Sequence, residues 1–319
     1  HHHRKIRASQ ATGMGFVTTK NQATRAQLCA SCHVGSADRD DGHDLIAAGH
    51  PALKFELAAY SQMLPKQWND RRERNETENF ELGLWLAGQA ACGDASLAVL
   101  ASRSSGERRA DWPDLAEFDC FACHHEFSAS SWRHESPSTA RAGAIPWSRW
   151  NTTVLRMLVQ DAQPSSLAGR LRKQLDTLSD LLESSPAPDA AAVREAALAT
   201  RPTLAAWSKS QTLSASRERV HQLLTAKETP RSWDFATQAY LALVAFRVAD
   251  KNQLGVYVLP RRDAASSHLL KIRQALAFPE GFASPKTIHP LAPSPAPSTS
   301  RKEILRAIRD AAELIEKRE

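Results

Sequence analysis

Apolar residues recur along this chain at helical spacing, and no stretch alternates convincingly as a β-strand does. Val154, Leu155, Leu158 and Val159 fit one face of a 3.6-residue period, as do Leu171, Leu175, Leu178, Leu181 and Leu182. Trp233 to Val248 reads as a long apolar helix through Tyr240, Leu241, Leu243, Val244 and Phe246. Upstream, Leu82, Leu84, Leu86, Ala90 and Ala91 predict a largely buried helix. Gly49-His50-Pro51 is a break, after which Leu53, Phe55, Leu57, Ala58 and Tyr60 begin an amphipathic run. The charged stretch Arg71-Arg72-Glu73-Arg74-Asn75-Glu76 between them reads as a loop. Ser184 to Asp189 is another, with Asp189 placed to cap the helix that follows.

These elements predict a mostly α protein: a helical, loop-rich N-terminal part over 1–150, a helical bundle over 151–289 and a terminal amphipathic helix. The stretch 290–300, PLAPSPAPSTS, is a Pro/Ser-rich linker that cannot build a core. Behind it, over 301–319, Ile304, Leu305, Ile308, Ala311, Ala312 and Ile315 form one apolar stripe. That stripe must be buried, either against the chain's own bundle or on a partner chain.

Composition changes the picture little. With 319 residues, 42% hydrophobic and 24% charged, the chain has ordinary soluble composition, and no apolar run approaches the length of a membrane span. The net charge of +6 comes without a base-reading motif or long basic block, which argues against nucleic acid as a partner. The basic excess reads as a solvated surface, suited at most to docking an acidic partner.

The five cysteines change it greatly. Four of them stand in two C-x-x-C-H motifs, Cys29-Ala30-Ser31-Cys32-His33 and Cys120-Phe121-Ala122-Cys123-His124. This is the attachment signal for a c-type haem. Two thiols add across the two vinyl groups of one porphyrin, and the adjacent histidine reaches the iron. The chain is therefore expected to carry two haem c groups, held covalently by Cys29, Cys32, Cys120 and Cys123, with His33 and His124 as proximal iron ligands. A thioredoxin-type dithiol lacks its βαβ context here. A zinc shared by both pairs needs a far shorter separation and no histidine after each second cysteine. Cys92, in the small-residue stretch Ala90-Ala91-Cys92-Gly93, is expected to be a buried, inert thiol.

Haem attachment of this kind takes place outside the bacterial cytoplasm, so a periplasmic or otherwise extracytoplasmic protein is expected. The chain shows neither an initiating methionine nor a signal-peptide core, and is expected to be a processed or truncated form. His1-His2-His3-Arg4-Lys5 reads as a tag remnant, or as a native tail with more protein, and another haem, upstream.

The opposite face of each iron decides between electron transfer and catalysis, since two strong axial ligands close the iron to substrates. His125 follows His124 and points away from it, so it is a candidate for the neighbouring haem on Cys29 and Cys32. His43 and His50 lie seven residues apart, two helical turns, and can share one face. One is a candidate for the second haem; the other can serve the first haem, or a third haem upstream or in another subunit. His134 is a further candidate ligand, and Arg133 beside it can pair with a haem propionate. Met14, Met63 and Met157 have no persuasive ligand context, and His221, His268 and His289 read as surface residues. Trp68, Trp112 and Trp132 flank the motifs, where aromatic packing around porphyrin is expected.

The stretch from Cys29 to about Trp68, with CASCHVG followed by HDLIAAGHP, resembles bacterial multihaem c-type cytochromes related to the cytochrome c554 and hydroxylamine-oxidoreductase-like group. The segment Phe118 to His125 with Ser131-Trp132-Arg133 is also similar, so the resemblance covers roughly the first 150 residues. The doubled histidine resembles small tetrahaem cytochromes of the c3 type, which implies that the second histidine serves the next haem. Members of the first group pass electrons or process small nitrogen compounds, often with more haems upstream. The expected function is single-electron transfer to and from redox partner proteins, other multihaem cytochromes among them, as part of a larger complex. The alternatives are a multihaem oxidoreductase acting on small nitrogen compounds at an open iron, and a structural subunit of a cytochrome assembly.

Overall fold

The computed structural model describes residues 17–50, 52, 54–63, 69–77, 79–107, 112–123, 144–160, 162–211, 218, 221, 224, 233–249, 264–276 and 301–316. The fold is mostly α, and among the described residues the only β features are two isolated bridges, Ser36 with Arg39 and Phe118 with Trp147. The helices are α1 (Gln22–His33), α2 (His43–Ala47), α3 (Leu57–Met63), α4 (Arg71–Glu76), α5 (Phe80–Arg103), α6 (Cys120–Cys123), α7 (Thr153–Val159), α8 (Leu167–Leu182), α9 (Ala190–Ser210), α10 (Trp233–Ala249), α11 (Ala264–Leu276) and α12 (Arg301–Glu316).

The central element is α5. It packs against α1, α3, α7, α9 and α10. By length and composition this 24-residue helix is apolar enough to cross a membrane, contrary to the expectation that no run would be. In the fold it forms the core instead. Its N-terminal half, through Phe80, Leu82, Leu84 and Trp85, enters one apolar cluster with α1, α10, α11 and α12. Its C-terminal half, through Leu97 and Leu100, enters a second with α8 and α9. Both clusters draw residues from either side of position 150.

The second cluster follows the sequence pattern closely. Leu171, Leu175, Leu178 and Leu182 on α8 are all fully buried, each contributing about 1.5–3 kcal/mol of apolar burial. The Ser166 side chain caps α8 by accepting from the Gly169 amide at 3.0 Å. Asp189 caps α9 as expected, accepting from the Ala192 amide at 3.0 Å. Three residues of the α12 stripe, Ile308, Ala311 and Ala312, are buried where α12 meets α10 and α11.

Three local expectations are corrected. Arg71–Glu76 is the helix α4, not a loop. Its charges are paired: Arg74 with Asp70 at 3.0 Å and with Glu81, and Lys20 with Glu73 at 3.3 Å. The amphipathic run after Gly49 becomes helical only at Leu57, because Glu56 caps α3 there. His221 and His268 are half-buried rather than on the surface.

Candidate functional site

The first motif lies at the C-terminal end of α1. Asn21 opens that helix by accepting from the Thr24 amide at 3.0 Å, and Ala26 and Ala30 bury its inner face. Cys29, Cys32 and His33 stand at i, i+3 and i+4, so one helix face carries both thiols and the imidazole. Cys29 is half-buried, Cys32 exposed and His33 half-buried. Burial pushes the Cys29 thiol up, and the Arg25 cation one turn earlier opposes that.

The His33 ring is backed by aromatics. It stacks on Phe55 with ring centres 4.8 Å apart and planes 12° from parallel, and meets Tyr60 at 5.7 Å. Phe55 and Tyr60 meet edge to face at 4.8 Å. A buried line of hydrogen bonds holds Phe55 from behind. Gln89 of α5 donates to Gln238 of α10 at 3.2 Å, Gln238 donates to the Trp150 carbonyl at 3.3 Å, and the Trp150 indole donates to the Phe55 carbonyl at 3.1 Å. Leu28 and Tyr60 remain exposed.

After His33 the chain turns sharply. Gly35 has φ 124°, and a Cβ there would meet the Arg39 carbonyl at 2.6 Å, so the turn requires glycine. The loop that follows is pinned by Arg103 at the end of α5. This buried guanidinium reaches Asp40 at 2.6 Å, Glu117 at 2.8 Å, the Asp41 carbonyl at 3.0 Å and Asp114 at 3.9 Å. Asp114 in turn accepts from the His43 and Ala116 amides at 3.0 and 2.8 Å. One arginine thus ties the loop after the first motif to the 3₁₀ turn Leu115–Glu117 just before the second. Burial pushes the Glu117 carboxyl up, although Arg103 opposes it.

The second motif begins on α6, Cys120–Cys123. Irregular backbone holds it: the Asp119 amide donates to the Pro146 carbonyl at 2.9 Å, and the Ser148 amide to the Glu117 carbonyl at 2.9 Å. Cys120 is half-buried and Cys123 exposed. Burial raises the Cys120 thiol, and among its charged neighbours Lys54 opposes this most strongly. Phe55 thus faces His33, while Lys54 just before it pairs with Asp234 of α10 at 2.9 Å.

The candidate iron ligands fare unequally. His43 begins α2, half-buried, and His50 is exposed. The two do not share a helix face. The helix closes at Ala47 in a Schellman motif, with Gly49 at φ 106°, the Gly49 amide on the Ile46 carbonyl at 2.9 Å and the His50 amide on the Leu45 carbonyl at 3.1 Å. His124, His125, Arg133 and His134, with Trp68 and Trp132, lie outside the described residues. Trp112 packs against the second apolar cluster and donates to the Pro188 carbonyl at 2.7 Å. Met157 is core packing. Cys92 is buried at 4% exposure in the first cluster, and burial drives its thiol pKa far up, as expected of an inert thiol. All five cysteines are free, and the described residues contain no group of three or more metal-ligating side chains.

Two features were illegible in the sequence. Arg103 has partners 63 and 14 residues away, and nothing local marks it. Glu56 is 2% exposed, and burial pushes its carboxyl up to about 7 against the Ala58 and Ala59 amides it accepts from. Comparison with protein-family models, with curated proteins and with solved structures returns no match to this chain.

The donor set at the first motif fits a covalently held haem. Two thiols and an imidazole share one face, and the imidazole is backed by the Phe55 and Tyr60 rings.

Proposed function

We propose that this protein is an extracytoplasmic c-type cytochrome that carries two covalent haems and passes single electrons between protein partners. The observation that carries the reading is the face of α1, where Cys29, Cys32 and His33 stand together with the His33 ring fixed against Phe55 and Tyr60. When bound, each haem supplies a one-electron iron centre.

The chain's own residues do the rest. Cys29 and Cys32 would tether the first group, and Cys120 and Cys123 the second. His33 would hold the first iron, its ring plane set by the stack on Phe55. Leu28 and Tyr60 would lose exposed apolar surface to the porphyrin. Arg103 keeps the two motifs in fixed relation through Asp40 and Glu117. The resemblance of the first 150 residues to multihaem cytochromes supports the same reading and adds His124 as second proximal ligand.

The test is haem stoichiometry and spin state. The full chain, produced with a bacterial haem-attachment system, is assayed by alkaline pyridine spectra and by electron paramagnetic resonance of the oxidised protein. Two covalent haems per chain, both low-spin, are expected. A high-spin iron would transfer the reading to catalysis on small nitrogen compounds, and a chain without covalent haem would overturn it.

A further inference from the structure

We infer that Gln238 of α10 is a positioning residue for the first haem site, holding the His33 imidazole in one plane through a buried line of hydrogen bonds and the Phe55 ring. The inference rests on the haem reading above. It gives the C-terminal bundle, whose sequence carries no attachment residue, a hold on a site whose two thiols and imidazole all lie on α1.

The line is continuous, and every link in it is a contact. The Gln89 amide of α5 donates to Gln238 Oε1 at 3.2 Å, the Gln238 amide donates to the Trp150 carbonyl at 3.3 Å, and the Trp150 indole donates to the Phe55 carbonyl at 3.1 Å. The Phe55 ring then lies on the His33 ring, with centres 4.8 Å apart and planes 12° from parallel. The bonded pairs stand 149, 88 and 95 residues apart, so only the tertiary fold closes the line.

Burial gives the line a fixed direction. Gln89 and Gln238 are 4% and 2% exposed, a setting in which an amide without partners is costly. Gln238 turns its oxygen to Gln89 and its nitrogen to the Trp150 carbonyl, so turning the amide over breaks both bonds. Phe55 lies in the irregular segment before α3, where no helix or strand ladder takes its carbonyl, and the Trp150 indole takes it instead. On the other side the chain enters α3, whose first turn is fixed by Glu56 accepting from the Ala58 and Ala59 amides at 2.8 and 2.7 Å. Phe55 is thus clamped between Trp150 and α3, and Tyr60 of α3 closes on the same imidazole at 5.7 Å. Groups behind a metal-ligating histidine fix its ring orientation, and here an aromatic stack tied to α10 does so.

Electron paramagnetic resonance of the oxidised full-length holoprotein tests this, with the wild type compared with Trp150→Phe, Gln238→Met, Gln89→Met and Leu243→Ala. The low-spin signal of the first site is identified by its loss in His33→Ala. That signal's g anisotropy should shift and its lines broaden in Trp150→Phe and Gln238→Met, and less in Gln89→Met, while the second site's signal holds. Leu243 is buried on the same helix and in the same apolar cluster but off the line, so Leu243→Ala should lower the melting temperature without moving either signal. A first-site signal unchanged in Trp150→Phe and Gln238→Met, or moved as far by Leu243→Ala, would overturn the inference. If Trp150→Phe does not fold, Gln238→Met and Gln89→Met decide. A wild type without covalent haem sinks the haem reading and not the line of contacts. The same variants are then compared by NMR of the His33 ring protons, which the Phe55 stack displaces upfield, and ring-proton shifts unchanged by Gln238→Met would overturn the positioning role.

Discussion

The two attachment motifs share their chemistry and differ in what holds them. The first is the end of a twelve-residue helix, capped by Asn21 and packed along α5. The second lies on α6, Cys120–Cys123, and the segment leading into it is placed by backbone bonds to Pro146 and Ser148 and by the pair of Glu117 with Arg103. Each first cysteine is half-buried beside one cation, Arg25 for Cys29 and Lys54 for Cys120. The difference teaches that a C-x-x-C-H signal prescribes chemistry but not support. A helix supports itself largely through its own ladder and one packed face. The segment that leads into the second motif is held by long-range polar contacts, which makes that site the more vulnerable to their loss.

Arg103 is where that vulnerability should be greatest. Its guanidinium faces three carboxylates, those of Asp40, Glu117 and Asp114, in a buried setting. Removing it leaves buried charges without their partner, which costs about 3–5 kcal/mol in comparable cases. Arg103→Met should lower the urea-denaturation free energy by about that amount. It should also loosen the second motif more than the first, read as faster amide exchange at Asp119 and Ser148 than in α1. Adding Glu117→Gln to Arg103→Met should recover part of the loss. A drop below about 1 kcal/mol would mean that the cluster is not the tie between the motifs.

How much of this could be read beforehand depends on the range of the forces. The α8 leucines, the Asp189 cap and the long helix α10 were legible because periodicity and capping are local. The attachment residues were legible because two thiols and a histidine must be close in sequence to meet one porphyrin. The helix α4 was missed because its sequence, RRERNE, has no apolar stripe; ion pairs with Lys20 and Glu81 and a local i,i+4 pair of Arg74 with Asp70 hold it. A shared face for His43 and His50 failed on one residue, since a glycine at φ 106° ends α2 between them. Arg103 and the Phe55 stack on His33 escaped notice because their partners are distant in the chain and carry no local mark.

Glu56 sharpens the comparison from the first site's side, with an effect of the second rank. Its folded carboxyl titrates near 7, against an ordinary value of 4.5, because burial disfavours the charged form. Between those values the native state holds a proton that the unfolded chain has lost. The stability this contributes is fully present below about pH 4.5 and is lost as the pH rises through about 7. The whole swing is about 3 kcal/mol. Glu56→Gln cannot ionise, so its stability relative to the wild type should improve by roughly that much between pH 4.5 and pH 8. The ionisable neighbour Cys92 stays a neutral thiol across this range. Denaturation free energies at intervals of half a pH unit would show the effect, and a difference that stays flat with pH would refute the buried, raised carboxyl.

The smallest effect belongs to the self-supporting motif. Asn21→Ala removes the side chain that accepts from the Thr24 amide and costs about 1 kcal/mol, as helix caps do. Because α1 is also anchored by Ala26 and Ala30 on α5 and by Gln22, whose amide donates to the Phe80 carbonyl at 2.8 Å, the loss should fray the first turn only. Cys29, Cys32 and His33 lie at the other end of the helix, so the haem content and the midpoint potential of the first site should both hold at the wild-type level. Amide exchange should quicken at Thr24 and Arg25 and stay unchanged from Cys29 onward. If instead the cap substitution altered the first haem's spectrum as much as Arg103→Met altered the second's, α1 would not be self-supporting, and the contrast between the two motifs would collapse.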